Sequence, residues 1–219
     1  MKEMEILEAK IDKAELTTNL VDKTQEQGDD KQLKINSIKK LYHGTNKLFD
    51  SVDLNRCGRF KDFGQGYYLT TDLKQAQKWA QYKAEDATEA YIYSYNVISP
   101  VEKKLRILEL LEYNKEWVDV ISKSRIWGIE PQYDIVYDRI ADNRRSEIAM
   151  VLQKYVAKDT DADSVIEMIQ WKNGTGDQYC FKTADALSVL GNERRFILHK
   201  DNNGRWRKPV ELKDDGRDE

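Results

Sequence analysis

The spacing of apolar positions changes along the chain, and each change marks a predicted strand or helix. Runs rich in β-branched and aromatic residues predict strands at 40–43, 66–70, 91–98, 135–137, 178–182 and 195–199. Apolar positions three or four apart predict helices at 73–86, 102–126, 144–155, 165–171 and 184–190, with Asp72, Ser164 and Thr183 as N-caps. Short strands among helices, without the long apolar runs of a parallel sheet, predict an α+β fold with mixed or antiparallel sheets.

Two residues of these elements are predicted to be core. The helix at 73–86 repeats Leu73, Ala76 and Trp79 at helical spacing, so we expect Trp79 to be buried. Cys180 alternates with aromatic neighbours in its strand and is expected to be a small core residue.

The first 36 residues differ in composition from the rest of the chain. They contain no Phe, Tyr or Trp, and the apolar stripe within 3–21 predicts an amphipathic helix. That stripe is too thin to fold alone, so the segment docks on the body, binds a partner or stays a solvated extension. We therefore predict an N-terminal extension over 1–36, a main domain over 37–200 and a polar, partly disordered tail over 201–219.

Net charge and apolar content bound the partners. The formal net charge is −3 with a pI near 5.6, so no chain-wide basic field indicates nucleic acid. The basic cluster 205–208 either contacts nucleic acid or is a solvated edge. No apolar run reaches the roughly 18 residues of a membrane helix, and no signal peptide opens the chain, so we expect a cytoplasmic protein without a membrane partner. Its two cysteines, Cys57 and Cys180, have no metal-binding spacing, and we expect no metal.

Two motifs carry the candidate chemistry. In the first, His43 precedes Gly44 and Thr45, and the glycine leaves its own N–H and C=O unshielded for a planar amide. A core or capping histidine is the alternative for His43 considered alone.

The second motif pairs alternating glycines with tyrosines. Gly64 and Gly66 allow φ > 0 or close approach of a ligand, and a tyrosine just past them can stack on a heteroaromatic group. An ordinary strand aromatic is the alternative for Tyr68.

These motifs resemble the first two of the ADP-ribosyltransferase superfamily, in its diphtheria-toxin-like and poly(ADP-ribose)-polymerase-like His-Tyr-Glu branch. Further blocks at 79–80, 133–142 and 177–181 are similar to a little-characterised bacterial family of that superfamily, which is often encoded beside a small partner gene in toxin–antitoxin pairs. The resemblance covers roughly residues 39 to 199 and implies a split two-sheet core with flanking helices.

The resemblance also implies roles for single residues, with NAD+ as co-substrate. His43 would bind the adenine-side ribose, the Gly44 backbone would anchor the nicotinamide carboxamide, and Tyr68 would stack on nicotinamide beside Tyr67. Gln178 stands where the family usually carries Glu against the ribose 2′-hydroxyl. A neutral amide can accept from that hydroxyl but cannot act as a base.

Charged residues flank both halves of this candidate site. Arg59, Lys61 and Asp62 either approach the pyrophosphate or stabilise their loop. A second set flanks the strand at 135–137 and forms either a substrate contact or a strand-end salt-bridge network; it comprises Asp134, Arg139, Asp142 and Arg144.

The expected function is transfer of a single ADP-ribose from NAD+ to an intracellular macromolecule, in a conflict or toxin–antitoxin role with a possible small antitoxin partner. An NAD+ glycohydrolase is one alternative. A catalytically inactive module that binds NAD+, ADP-ribose or a partner is the other.

Overall fold

A computed structural model describes residues 40–98, 105–141, 147–172 and 176–213. Within these ranges the chain forms two four-stranded sheets, which confirms the α+β class. The first sheet contains, in spatial order, β1 (Lys40–Thr45), β3 (Glu89–Val97), β7 (Leu190–His199) and β8 (Val210–Leu212). The second contains β2 (Tyr67–Leu69), β6 (Asp177–Phe181), β5 (Ile135–Arg139) and β4 (Ile107–Leu110).

Helices connect these strands. They are α1 (Leu73–Ala84), α2 (Lys115–Ser122), α3 (Ile148–Val156), α4 (Ala162–Ile169) and α5 (Ala184–Leu187). A 3-10 turn covers Leu54–Arg56, and a π-helical turn, Lys123–Trp127, continues α2. No helix in the described ranges has the length and apolar character needed to cross a membrane.

The helix starts follow from capping side chains. Asp72 accepts from the Lys74 N–H at 2.7 Å, and Thr183 from the Ala186 N–H at 3.1 Å, which confirms both predicted caps. The predicted cap at Ser164 is wrong. Asp161 caps α4 instead, because its carboxylate accepts from the Ser164 N–H at 2.8 Å.

Packing separates three apolar clusters. The facing sides of the two sheets bury one cluster, which includes Leu41 and Tyr67. The outer side of the second sheet packs against α2, α3 and α4 around Phe63 and Cys180, which confirms Cys180 as a core residue. Helix α1 covers the outer side of the first sheet through its alanines.

The helix predicted over 102–126 is wrong in its first half. Residues 107–110 form β4, which pairs in parallel with β5, and α2 starts only at Lys115. Three of the four β4 residues are buried, as expected for a strand covered on both faces. A short, mostly apolar run of this kind fits both the helical and the strand period, so the partner strand decides its structure.

The prediction that Trp79 is buried is also wrong. Its side chain is 40% exposed, and the buried face of α1 consists of Ala76, Ala80 and Ala84. Only these small side chains fit where α1 lies close to the β1 backbone.

The sheet continues beyond the predicted end of the main domain. Strand β7 starts at Leu190 rather than at Arg195, and β8 pairs with it at Val210–Leu212. The predicted N-terminal helix lies outside the described residues, as do Asp142, Arg144 and 214–219.

Candidate functional site

Strands β1 and β2 join the two sheets at one point and then part. The Tyr42 N–H donates to the Thr70 carbonyl at 2.8 Å, and the Thr70 N–H returns the bond at 2.9 Å. Continuing this antiparallel register by two residues places Gly44 opposite Tyr68. The described residues show no further pairing between the strands, so a gap opens there, which we call the split.

The backbone of Gly44 faces the split. Antiparallel strands direct the N–H and C=O of alternate residues to alternate sides, and Tyr42 directs its pair away from β3. Gly44, two residues on, does the same, and neither group has a hydrogen bond to another described residue. A Cβ at Gly44 would lie 2.0 Å from the Ala76 carbonyl oxygen, so only glycine lets α1 close over this edge.

His43 lies on the opposite face of β1 and is held in one tautomer. Its Nδ1 lies 2.7 Å from the Tyr68 carbonyl, which can only accept, so Nδ1 carries the proton. Burial lowers the pKa of His43 to about 4, with a smaller opposing effect from this hydrogen bond. The ring, 4.4 Å from that of Tyr67, is therefore neutral near pH 7, and its Nε2 is a hydrogen-bond acceptor.

Tyr68 is held rigidly by the loop before it. Its hydroxyl donates to the Gly64 carbonyl at 2.8 Å and accepts from the Phe63 N–H at 3.1 Å. The ring lies nearly parallel to that of Phe63, at 13° and 6.4 Å between centroids. A partly exposed ring with its hydroxyl fixed in this way is a stacking surface whose orientation is set before any ligand arrives.

Gln178 shares the face of Tyr68 but is tied to an acid. Tyr68 pairs with Cys180 in the register, and Gln178 follows on the same face. Its Nε2 donates at 2.9 Å to Asp62, which is also paired with Arg125 at 2.5 Å. Asp62 is buried, so the alternative in which it stabilises its loop describes it best.

Asp138, opposite Gln178 on β5, is a buried acid that the sequence reasoning missed. Its Oδ2 accepts from the Trp117 indole N–H at 3.0 Å, while Oδ1 has no hydrogen-bond partner among the described residues. Burial, and then the charge of Asp62, raise the pKa of Asp138 well above its usual value. The nearby Gln178 amide partly lowers the pKa of Asp138, although it forms no hydrogen bond to Oδ1. The sequence signal for Asp138 was an acidic residue directly after the strand predicted at 135–137.

Replacing Asp138 with asparagine should stabilise the protein at neutral and alkaline pH. Because its folded-state pKa is raised, the folded protein binds more protons than the unfolded chain above about pH 4, and stability falls as pH rises through that window. Asparagine does not titrate, keeps the acceptor for Trp117 and should add about 1 to 3 kcal/mol at pH 8. Urea unfolding at pH 4 to 8 measures the difference.

The exposed Asp159→Asn is the matched control for this experiment and should change stability little at any pH. Since His43 is common to all forms, its own titration cancels in the comparison. A form with Asp138→Asn that matches wild type at every pH would show that Asp138 is not strained.

The loop that carries the second motif is anchored by a buried lysine. Lys182 Nζ donates to the carbonyls of Phe63 and Gln65 at 2.6 and 2.8 Å, and to Glu130 at 2.8 Å. Glu130 also accepts from the Gln65 N–H at 2.9 Å. Gly64 has φ +75°, and an added Cβ would overlap Glu130, so the predicted φ > 0 is confirmed there.

The other predicted site residues differ in their surroundings. Thr45 is partly buried at the end of β1, whereas Arg59 is exposed on the loop and has no hydrogen bond or ion pair within the described ranges. A Cβ at Gly66 would lie 2.4 Å from the Cys180 sulfur, so the close approach there is to β6. Tyr67 is 3% exposed and packs between the sheets beside His43. The structure thus gathers His43, Gly44 and the tyrosines at the split.

The described charged residues at the two ends of β5 make separate contacts with neighbouring segments. Asp134 pairs with Arg106 at 3.3 Å and accepts from the Thr183 hydroxyl at 3.1 Å. The Arg139 Nε donates to the Leu111 carbonyl at 2.8 Å. The contacts of Asp134 are therefore those expected of a salt bridge at a strand end, the second of the two alternatives given by the sequence.

Comparison with known families identifies the chain at the level of family. A family model described as a protein of unknown function, DUF3990, matches residues 39–191, which is more than half of the chain. The chain belongs to the DUF3990 family. No curated protein and no solved structure matched it. The DUF3990 region contains every residue of the split, from His43 to Lys182.

Proposed function

We propose that this DUF3990 protein binds NAD+ at the split and transfers a single ADP-ribose to an intracellular macromolecule. One observation carries the proposal: the N–H and C=O of Gly44, which have no hydrogen bond to another described residue, face the edge of β2 at Tyr68, whose hydroxyl is fixed by the loop before it. A carboxamide has one donor group and one acceptor, so it complements that backbone pair. The nicotinamide ring attached to it would then lie against Tyr68.

The surrounding groups suit cleavage of the bond between nicotinamide and ribose. That bond breaks through an oxocarbenium-like state, which is stabilised by fixed negative charge and requires no protein nucleophile. Asp62, paired with Arg125, accepts from the Gln178 amide, so the Gln178 side-chain oxygen remains available to accept from a ribose hydroxyl. The neutral Nε2 of His43 can accept from a second hydroxyl.

The cellular setting in the proposal comes from the family resemblance. It is a cytosolic conflict or toxin–antitoxin role, with a small antitoxin protein as a possible partner and no metal in the reaction. Such a partner would regulate the protein by blocking the reaction at this same site.

Two alternatives share the site. With water as acceptor the protein would be an NAD+ glycohydrolase. A silent NAD+-binding module is favoured by one specific feature, the glutamine at position 178 with its amide already bonded to Asp62, because no carboxylate replaces the usual glutamate there.

NAD+ should raise the melting temperature of the protein, and Tyr68→Ala should remove most of the shift. A ligand at one hundred times its dissociation constant adds about 2.7 kcal/mol to the free energy of unfolding. The measurement is thermal unfolding with and without NAD+, together with release of labelled nicotinamide. Nicotinamide release separates both enzymes from the silent module, and label retained on a macromolecule from cell extract separates transferase from glycohydrolase.

Tyr133→Ala is the matched control, because Tyr133 packs on the same apolar cluster but lies beside Glu116 and Arg106. It should lower stability without changing the NAD+-dependent shift. An equal shift in folded Tyr68→Ala and wild type would remove Tyr68 from the site, and no shift in wild type would reject NAD+ as ligand.

A further inference from the structure

The solvent side of α1 carries lysines and aromatic rings and no acid. Over Leu73–Ala84 the sequence contains three lysines and no Asp or Glu. The exposed residues that define this surface, the α1 outer face, are Lys74, Lys78, Trp79, Tyr82 and Lys83. The helix itself is therefore locally basic in a chain of net charge −3, with exposed Asp72, Glu85 and Asp86 at its two ends.

Two of these residues form a stacked aromatic platform. The rings of Trp79 and Tyr82 lie 5.5 Å apart at 29°, and the side chains are 40% and 67% exposed. Lys83 Nζ lies 5.0 Å from the centre of the Trp79 ring. Large aromatic side chains exposed to this extent, next to a cation, indicate a binding surface rather than a core.

A cation from the second-motif loop extends the surface. Lys61 is exposed on this loop. Its pKa is lowered first by the partial burial of its side chain and then by the nearby charges of Lys83 and Arg125. Arg125 is paired with Asp62, whereas Lys61 and Lys83 form no ion pair within the described ranges. Unpaired cations held near one another favour a ligand that brings several negative charges.

The α1 outer face also borders the split. Ala76 and Ala80, on the buried side of the same helix, lie against the backbone of Gly44. A chain bound along α1 therefore lies about one helix diameter, roughly 10 Å, from the place where the proposed reaction occurs.

We propose that the α1 outer face binds a segment of single-stranded nucleic acid. Phosphates would pair with Lys78 and Lys83, and bases would stack on Trp79 and Tyr82. An acidic peptide would use the lysines but leave the stacked rings without a function, so the aromatic pair decides for nucleic acid. Resting on the proposed function, such a segment is the acceptor for ADP-ribose: a hydroxyl or base nitrogen of the segment bonds to C1′ of the ribose as the bond to nicotinamide breaks, nicotinamide leaves, and the proton of the acceptor group passes to solvent.

The test measures binding without NAD+, by fluorescence anisotropy of labelled 12-nucleotide single strands of DNA and RNA at low salt. Trp79→Ala with Tyr82→Ala, and separately Lys78→Glu with Lys83→Glu, should each weaken binding about tenfold or more. The logarithmic salt dependence should have a slope of about −1.4 for the two phosphate contacts. The control is Met150→Ala with Lys154→Glu, an exposed pair on α3, which should bind as wild type does.

Several results would overturn the inference. These are no binding of either strand by wild type, undiminished binding by the aromatic double variant, equal binding of a duplex of the same length, or tighter binding of a labelled 12-residue polyglutamate. Because NAD+ is absent, the result is independent of catalysis. A protein that shows the NAD+-dependent thermal shift but binds no nucleic acid would keep the proposed function and lose this acceptor.

Discussion

Replacing Lys182 with methionine should lower the free energy of unfolding by about 3 to 5 kcal/mol, the cost of removing one partner from a buried ion pair. Methionine keeps most of the aliphatic volume but leaves Glu130 and two loop carbonyls without their shared donor. The Lys182 side chain is 8% exposed and that of Glu130 is 26% exposed, so water replaces the lost bonds only in part, mainly at Glu130. Urea denaturation measures the loss.

Lys115→Met is the control, because Lys115 also pairs with a carboxylate but its side chain is 72% exposed. Its loss should stay within about 0.5 kcal/mol. Combining Lys182→Met with Glu130→Gln should cost less than the sum of the single changes, since the second change removes the stranded charge. Additive losses would show that the two groups act separately.

The anchored loop also carries the hydrogen bonds that fix Tyr68. Lys182 holds the carbonyls of Phe63 and Gln65, and the hydroxyl of Tyr68 bonds to the Phe63 N–H and the Gly64 carbonyl in the same loop. In Lys182→Met the NAD+-dependent thermal shift should therefore fall along with stability. If stability falls while the shift is unchanged, the loop does not position the ligand.

Gln178→Glu should destabilise the protein by about 3 kcal/mol at pH 8, although the ADP-ribosyltransferases that the motifs resemble usually carry glutamate there. The change removes the donor to Asp62, a hydrogen bond to a charged group, and puts a third carboxyl beside Asp62 and Asp138. Repulsion and burial should raise the pKa of the added carboxyl. The loss should therefore be largest at pH 8 and shrink towards pH 4, where the added carboxyl holds its proton.

The exposed Gln153→Glu makes the same chemical change on α3 and should cost less than about 0.5 kcal/mol. Adding Asp138→Asn to Gln178→Glu should recover part of the loss, because it removes one of the crowded acids. A Gln178→Glu protein as stable as wild type at pH 8 would show that the acids are solvated. In that case, increased nicotinamide release would show that a carboxylate at position 178 promotes cleavage.

The consequence for catalysis is a division of roles at position 178. In the ADP-ribosyltransferases that the motifs resemble, a carboxylate itself faces the ribose, whereas here an amide is bonded to the Asp62 carboxylate. Within the proposed function, Asp62 therefore fixes the orientation of the Gln178 amide, and the Gln178 side-chain oxygen accepts from the ribose hydroxyl. Asp62→Asn should then reduce nicotinamide release more than it reduces NAD+ binding.

Local sequence determined the elements whose signals lie within a few residues. Asp72 and Thr183 fixed the starts of α1 and α5, because an N-cap bonds to the backbone only two or three residues on. Gly64 determined the turn with φ > 0 before β2. The two motifs at His43 and Tyr68 marked the strands that meet at the split, and the histidine does bond to the second motif.

Only the tertiary structure decided which face of an element is buried and which distant charges meet. Trp79 and Ala80 both fit the apolar period of α1, but the backbone of Gly44 leaves room only for alanine, so the indole faces solvent. Residues 107–110 became a strand because β5 offers a parallel partner. Asp62 and Gln178 are 116 residues apart, and no local spacing signals their bond. Secondary structure follows from short-range hydrogen bonds and sterics, whereas the polar centre of this protein depends on contacts that exist only after the sheets have assembled.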